Sequence, residues 1–140
     1  PTGHWADMGT GAGFPGIVFA HRFPKVALDL VDSRQKRCWF LNHVLLNAKL
    51  SDERALVQVH CSRIENLKTG PYDGIVARAL AKPEAVMDLT ASLIKGDGKL
   101  VLLLQESQQV IPTEAFEAES EHPYQIEGKM RKTAVFRRRA

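Results

Sequence analysis

A glycine-rich string near the start of the chain is the strongest candidate for chemistry. It reads Asp-Met-Gly-Thr-Gly-Ala-Gly-Phe-Pro-Gly over residues 7–16 and overlaps the end of a short apolar segment, His4–Met8. Glycines let the backbone turn sharply and approach a ligand without a side-chain clash. The helix predicted after the string presents free N–H groups at its start, which favour a polar or anionic ligand. We therefore expect a ligand-binding loop between a strand and a helix.

Two cofactor classes fit this loop. Residues 11–16 match the dinucleotide pattern G-x-G-x-x-G, and the whole string matches D-x-G-x-G-x-G, the first motif of class I methyltransferases. The predicted strand ends at Met8 and so runs directly into Gly9, whereas a dinucleotide fold needs it to run into Gly11. Asp7 has a role only in the methyltransferase scheme, where it organises the loop around the amino-acid part of the cofactor. We favour that scheme and keep an NAD(P)-dependent oxidoreductase as the alternative.

Three further candidates follow later strands. Asp32 ends the second strand, where an acidic side chain can accept hydrogen bonds from both ribose hydroxyls. Its other possible role is to cap the next helix, but Ser33 can do that. The segment 62–65 follows the third strand, where either an adenine ring or an ordinary loop is expected. Arg78 ends the fourth strand and can pair with a cofactor carboxylate, with Asp7 or with an RNA phosphate, or extend to solvent.

These candidates must be positioned by strands that alternate with helices. This alternation predicts a parallel sheet with helices on both faces and ligands at the carboxyl ends of its strands. Trp39 and Phe40 are expected in the core. An irregular helix is expected within residues 105–120, and a hairpin from residues 123–126 and 132–138. Strands are predicted at 4–8, 25–31, 55–61, 72–78 and 99–104, and helices at 17–23, 33–48 and 83–94.

The composition is that of an ordinary globular protein, with 44% hydrophobic and 25% charged residues among 140. This length suits one domain. No apolar run approaches the roughly 20 residues needed to cross a bilayer. No signal segment opens the chain, so a cytoplasmic location is expected. The histidines and the two cysteines show neither a triad nor a metal-ligand spacing, so no metal is expected.

The positive charge is concentrated at the C-terminal end. The last twelve residues hold six lysines and arginines and no acid; removing those six from the total of 19 leaves 13 basic against 16 acidic residues in the first 128. Such a tail is either simply solvated or in contact with a polyanion. The predicted RNA contacts are Lys129, Arg131, Lys132, Arg137 and Arg138.

With these residues in view, the chain resembles the RsmG (GidB) family of bacterial ribosomal-RNA guanine-N7 methyltransferases. The resemblance is carried by residues 7–17, Val31-Asp32-Ser33, Lys36-Arg37, Phe40-Leu41, residues 62–65 and Ala77-Arg78-Ala79. It implies a class I methyltransferase fold: a mostly parallel, Rossmann-like sheet with helices on both faces and an antiparallel C-terminal strand. The S-adenosylmethionine contacts expected from the resemblance and the loop are Asp7, Gly9, Gly11, Gly13, Phe14, Asp32, Ile64, Glu65 and Arg78.

The resemblance also implies methyl transfer to N7 of a guanosine in 16S ribosomal RNA. The expected partner is that RNA or the small subunit, and the protein is separately expected to be a monomer. Guanine N7 carries an in-plane lone pair, so no general base is needed, and Arg78 is the one catalytic candidate. A non-catalytic RNA-binding domain on the same fold is an alternative, as is a methyltransferase with another substrate. Two departures stand out: residues 1–140 form one domain expected to lack the family's N-terminal helical segment, and Gln105-Glu106 replaces a frequent Lys-Gly.

Overall fold

The computed structural model describes residues 1–48, 56–78 and 80–140. Ala55, predicted in the third strand, and Ala79 of the Ala-Arg-Ala segment lie outside the described residues. The helices are α1 (Gly16–Arg22), α2 (Gln35–Asn47) and α3 (Pro83–Thr90), with short 3-10 turns at Ile64–Asn66 and Ala91–Leu93. The strands are β1 (His4–Met8), β2 (Ala27–Asp32), β3 (Val57–Cys61), β4 (Tyr72–Arg78), β5 (Ile94–Gln105), β6 (Phe116–Ile126) and β7 (Lys129–Arg138).

The described strands form one seven-stranded sheet in the order β3-β2-β1-β4-β5-β7-β6. Strands β1 to β5 are parallel, and β7 runs antiparallel to both of its neighbours. The predicted parallel sheet with an antiparallel C-terminal strand is therefore confirmed. The order reverses at β1, which has β2 on one side and β4 on the other. We call the edge of the sheet where the parallel strands have their carboxyl ends the carboxyl edge. In sheets of this kind the ligand crevice opens at that edge, at the point where the strand order reverses.

Helices cover both faces of the sheet, as predicted. Leu41 and Leu45 of α2 join Leu28 and Leu30 of β2 in one buried cluster, to which α1 also contributes. Met87 of α3 belongs to a second cluster on the other face. Burial of these side chains fixes the sheet between the two layers and so fixes where each strand ends. None of the helices in the described ranges is both long and apolar enough to cross a membrane.

The C-terminal third differs from its prediction. No helix lies within residues 105–120; residues 106–115 are irregular and Phe116 begins β6. The hairpin is confirmed, but its strands are longer than predicted. β6 is an edge strand that alternates acidic and other side chains over much of its length, so it lacks the apolar signal that identified the buried strands. Its Pro123 is tolerated because an edge strand leaves one row of N–H groups unpaired.

The prediction that Trp39 and Phe40 lie in the core is wrong. Their side chains are 72% and 44% exposed, and the buried stripe of α2 consists of Cys38, Leu41 and Leu45. The helix has more apolar residues than one face can bury. Because 3.6 residues make a turn, the two aromatic residues next to Cys38 point away from its stripe.

Candidate functional site

The glycine loop begins directly at the end of β1 and lies against the end of β2. The backbone amides of Gly9 and Thr10 both donate to the carbonyl oxygen of Val31, at 2.9 and 3.0 Å. Gly9 and Gly11 have φ values of 70° and 61°, in the left-handed region that favours glycine. The strand therefore runs into Gly9 and not into Gly11, as the methyltransferase motif requires.

Asp7 bridges two parts of the glycine loop, at Thr10 and at Gly16. Its Oδ2 atom accepts hydrogen bonds from the Thr10 hydroxyl at 2.6 Å and from the Gly16 amide at 2.7 Å. The side chain is 1% exposed. Burial raises the pKa of the Asp7 carboxyl from 3.8 to about 6, although these two hydrogen bonds and the charge of Arg78 act in the opposite direction. The Oδ1 atom is buried and has no hydrogen-bond partner within the described residues.

Asp32 joins the loop to the start of α2. Its Oδ2 accepts from the Gly11 amide at 3.0 Å and from Arg37 Nη1 at 3.3 Å, and its Oδ1 accepts from the Arg34 amide at 2.9 Å. The expectation that Ser33 caps the helix is wrong: the cap position is Arg34, and no side chain caps it. The contact of Asp32 with a ribose stays a prediction.

A cavity of about 440 Å³ opens beside Asp32 at the carboxyl edge. This volume is within the range of small-molecule sites. It brings together residues that the sequence placed after three different strands, because parallel strands end at the same edge. Its lining includes Gly9, Asp32, Arg37, Ile64 and Glu65.

A second cavity, of about 510 Å³, shares Gly9 and Arg37 with the first. Its other lining residues include Gly11, Phe40 and Arg78. The glycine loop therefore borders two adjoining spaces. Gly13 is different: it lines neither cavity, and a Cβ atom there would overlap the side chain of Ile17.

Arg78 stands between the second cavity and a third. Its Cζ lies 5.0 Å from the ring centroid of Phe14, a cation–π contact. Arg78 forms no ion pair with an acid in the described part of the chain. The third cavity, of about 590 Å³, is lined by Phe14 and Arg78 together with Gln105, Tyr124 and Arg131. The charge of Arg78 therefore lies between the second cavity, which borders the glycine loop, and the third cavity, which borders the β6–β7 hairpin.

A family model described as rRNA small subunit methyltransferase G (GidB) matches residues 2–136. The chain belongs to this family. A ribosomal RNA small subunit methyltransferase G of Mesoplasma florum is 40% identical over 99 residues, covering 69% of this chain and 40% of that protein. One of Pseudomonas aeruginosa is 35% identical over 130 residues, covering 89% and 58% respectively. The chain thus spans about half the length of the curated relatives it matches.

Solved structures show the same fold. TrmN of Thermus thermophilus has a TM-score of 0.77 and 17% identity, covering 99% of this chain and 44% of that one. The magnesium protoporphyrin IX methyltransferase of Synechocystis PCC 6803, with S-adenosylmethionine bound, has a TM-score of 0.74 and 14% identity, covering 99% and 71%. The class I methyltransferase fold expected from the resemblance to the RsmG family is confirmed, and the oxidoreductase alternative is not favoured.

The basic C-terminal residues do not form one patch. Arg131 pairs in register with Gln105 at the carboxyl edge, whereas Arg137 pairs with Lys99 at the other end of β5. The two positions are six steps apart along the strand, about 20 Å. Arg137 forms an ion pair with Glu117, and the Arg138 guanidinium donates to the Ala91 carbonyl at 2.7 Å. Of the five predicted residues, only Arg131 lines a cavity. Lys129 and Lys132 lie at the same end of β7 as Arg131, and Lys132 contacts Glu121 at 3.1 Å.

Three residues of the site were not singled out by sequence reasoning. Thr10 and Gly16 were only part of the motif, and their bonds to Asp7 come from the folded loop. Arg37 was noted only for the RsmG resemblance, yet it contacts Asp32. A basic residue five positions after an acidic strand end would have been the usable signal. No cluster of three or more metal-ligating side chains occurs in the described ranges.

Proposed function

We propose that this protein transfers a methyl group from S-adenosylmethionine to N7 of a guanosine in 16S ribosomal RNA. The observation that carries the proposal is the glycine loop, which is tied to both Asp7 and Asp32 and borders two adjoining cavities at the carboxyl edge. Membership of the RsmG family supports the same activity. The substrate is the RNA itself or the small ribosomal subunit.

The residues present fit S-adenosylmethionine. A Cβ atom added at Gly11 would meet nothing closer than Arg37 Nη1 at 3.9 Å, so the backbone leaves open space on that side. Asp32 would hold the ribose, Ile64 and Glu65 would flank the base, and Gly9, Gly11 and Arg78 would surround the methionine part. Asp7 and Gly13 would act by shaping the loop. The cofactor, when bound, supplies an electrophilic methyl group on a sulfonium.

The protein's own contribution to the reaction is alignment. Guanine N7 needs no deprotonation before it attacks, so the residues around it have only to hold the base in line with the methyl group. Such positioning can lower a barrier by roughly 7–11 kcal/mol. Arg78 lines both the second and the third cavity, and Phe14 of the glycine loop lines the third. We therefore assign the target guanosine to the third cavity. Arg78 is placed to hold a phosphate of the RNA or the carboxylate of the cofactor.

The substrate side also includes the tip of the β6–β7 hairpin. Lys129, Arg131 and Lys132 lie at the carboxyl edge, where their charges attract RNA phosphates. Arg137 and Arg138, predicted as RNA contacts, are about 20 Å away along the sheet. We therefore propose the first three as RNA contacts and give the other two no direct role.

We further propose that the protein works as a cytoplasmic monomer without a metal ion, and that residues 1–140 form a single methyltransferase domain. One sheet with a buried cluster on each face supports the single domain. Sedimentation of the purified full-length protein tests the monomer, and methyl transfer with and without a chelator tests the absence of a metal. A dimer or a metal-dependent activity would contradict them.

The decisive test is to map N7-methylguanosine in ribosomal RNA from cells with and without the full-length protein. The proposal expects one 16S position to be methylated only when the protein is present, and Arg78→Ala to restore little of it. A variant that lacks transfer but still binds S-adenosylhomocysteine would place the defect after cofactor binding. An unchanged methylation pattern in cells without the protein would overturn the proposal.

A further inference from the structure

The exposed face of α2 carries a row of flat and basic side chains. Lys36, Trp39, Phe40 and His43 are spaced at i, i+3, i+4 and i+7, so they share one side of the helix. This side points away from the buried stripe. The Trp39 and His43 rings are stacked, with centroids 5.7 Å apart and planes within 10°. Because Trp39 is 72% exposed, this stacked pair presents a flat ring surface to solvent.

This face is continuous with the site described above. Phe40 and Lys36 line the second cavity together with Gly11 and Arg78. Phe14, 46% exposed, contacts the Arg78 guanidinium and lines the third cavity with it. A chain that enters the third cavity near Phe14 can therefore pass Arg78 and continue across α2.

The charge around the rings favours a polyanion. Residues 33–48 contain Arg34, Lys36 and Arg37 and no aspartate or glutamate. Arg37 is engaged by Asp32, while Arg34 and Lys36 have no ion pair in the described part of the chain. Lysine is depleted at protein–protein contacts, whereas basic residues interleaved with exposed rings are typical of surfaces that bind single-stranded nucleic acid.

We propose that this face of α2 is a stacking platform for unpaired RNA bases next to the target guanosine. The platform consists of Trp39, Phe40 and His43, and Lys36 on the same side of the helix neutralises a neighbouring phosphate. The occupant is single-stranded RNA, because only unpaired bases expose faces that can stack on side chains. This inference rests on the proposed function for the identity of the neighbouring nucleotide.

The fluorescence of Trp39 can report RNA binding to the platform directly. The chain has two tryptophans, and the other, Trp5, is 8% exposed and packs against Phe19. Titration of the full-length protein with a short single-stranded RNA that contains one guanosine should quench the Trp39 fluorescence. Phe40→Ala should weaken binding roughly five- to 150-fold, the range for loss of one stacked base. Trp39→Phe should keep most of the affinity measured by a filter assay.

Val18→Ala is the matched control, because Val18 is an exposed apolar residue (57%) on α1, away from the α2 face, and lines none of the three cavities. Its RNA affinity should stay within twofold of that of the wild type. S-adenosylhomocysteine binding, measured on every variant, shows that the cofactor loop is intact. Equal quenching by a duplex of the same sequence, or no quenching at all, would overturn the stacking platform. So would a fluorescence change that follows protein concentration without RNA.

The two proposals fail in different ways. If Trp39→Ala and Phe40→Ala methylate ribosomal RNA with an unchanged KM for RNA, the platform is refuted and the methyltransferase function stands. If RNA quenches Trp39 and Phe40→Ala weakens RNA binding, while no methyl group is ever transferred, the function is refuted and the platform stands.

Discussion

The carboxyl edge of the sheet and the opposite edge, which we call the amino edge, both border a cavity lined by basic side chains. Those at the amino edge, Lys95 and Lys99, are ion-paired. Several of those that line the carboxyl-edge cavities form no ion pair within the described ranges: Arg34, Lys36, Arg78 and Arg131. At the amino edge, Lys95 contacts Asp73 at 2.9 Å and Arg137 is paired with Glu117. At the carboxyl edge, the charge of Arg78 faces the Phe14 ring and forms no ion pair within the described ranges. The cavity toward the amino edge is the larger, about 700 Å³ against 440 to 590 Å³.

This difference shows that cavity volume alone does not identify the functional site. The larger cavity is lined largely by apolar side chains such as Trp5, Phe19 and Phe23, together with charges that already have partners nearby. The carboxyl edge instead holds a buried carboxylate with a raised pKa and a cation that no described acid pairs with. A fold keeps such features where a ligand needs them.

The largest expected effect is at Gly16. A Cβ atom there would overlap Leu30 and lie 2.6 Å from Asp7 Oδ2. Gly16→Ala should therefore cost roughly 1–3 kcal/mol of stability through overpacking and reduce S-adenosylhomocysteine affinity at least tenfold. Gly96→Ala at the amino edge is the control, since its new Cβ would meet only Ala140 at 3.6 Å. Equal effects of the two variants in urea denaturation and calorimetry would erase the contrast between the edges.

The second effect compares two arginines. Arg78→Ala should lower methyl transfer roughly 10- to 100-fold, the loss of about 1.5–3 kcal/mol from one charge-assisted hydrogen bond. Arg137→Ala should leave the rate within twofold, because Arg137 is bound to Glu117 at the far edge. Single-turnover rates with tritiated cofactor make the comparison. A wild-type rate for Arg78→Ala would remove its assigned role.

The buried strands and the loop that follows β1 could be predicted from the sequence. Apolar runs identified β1 to β5, since burial between two helix layers leaves a strong pattern. The sequence missed residues 116–122 of β6, whose acidic side chains are matched by basic side chains of neighbouring strands, as in the Arg137–Glu117 pair. Charge counting interpreted those bases as an RNA-binding tail. A count of charges cannot show which of them have cross-strand partners, because that pairing exists only after folding.

The third effect is a pH dependence of stability at Asp7. Its pKa rises from 3.8 to about 6 on folding, so the folded state binds the proton more tightly. Stability should therefore fall as the pH rises from about 4 to about 6 and then level off, by on the order of 3 kcal/mol. Asp7→Asn, whose amide oxygen can still accept from Gly16, should lose most of this fall. Urea midpoints measured across that range test it, and parallel curves for the two proteins would contradict it.

The smallest effect concerns the two ends of β7. Neutralising Arg131 and Lys132 together should reduce the salt dependence of RNA binding, with the log–log slope changing by roughly 0.7 for each RNA phosphate that the protein no longer neutralises. The same change at Arg137 and Arg139, which both contact Glu117, should alter the slope less. Filter binding at several salt concentrations gives both slopes. A larger slope change for the Arg137 and Arg139 variant would indicate that RNA binds at the amino edge instead.

The central claim, that the carboxyl-edge loop binds a sulfonium nucleoside through Asp32, is tested most directly by calorimetric titration of the full-length protein with S-adenosylhomocysteine and with NAD⁺. The account predicts that S-adenosylhomocysteine binds, that Asp32→Ala weakens it at least tenfold, and that NAD⁺ gives no binding heat. Binding of NAD⁺ in place of S-adenosylhomocysteine, or an unchanged affinity in Asp32→Ala, would contradict it.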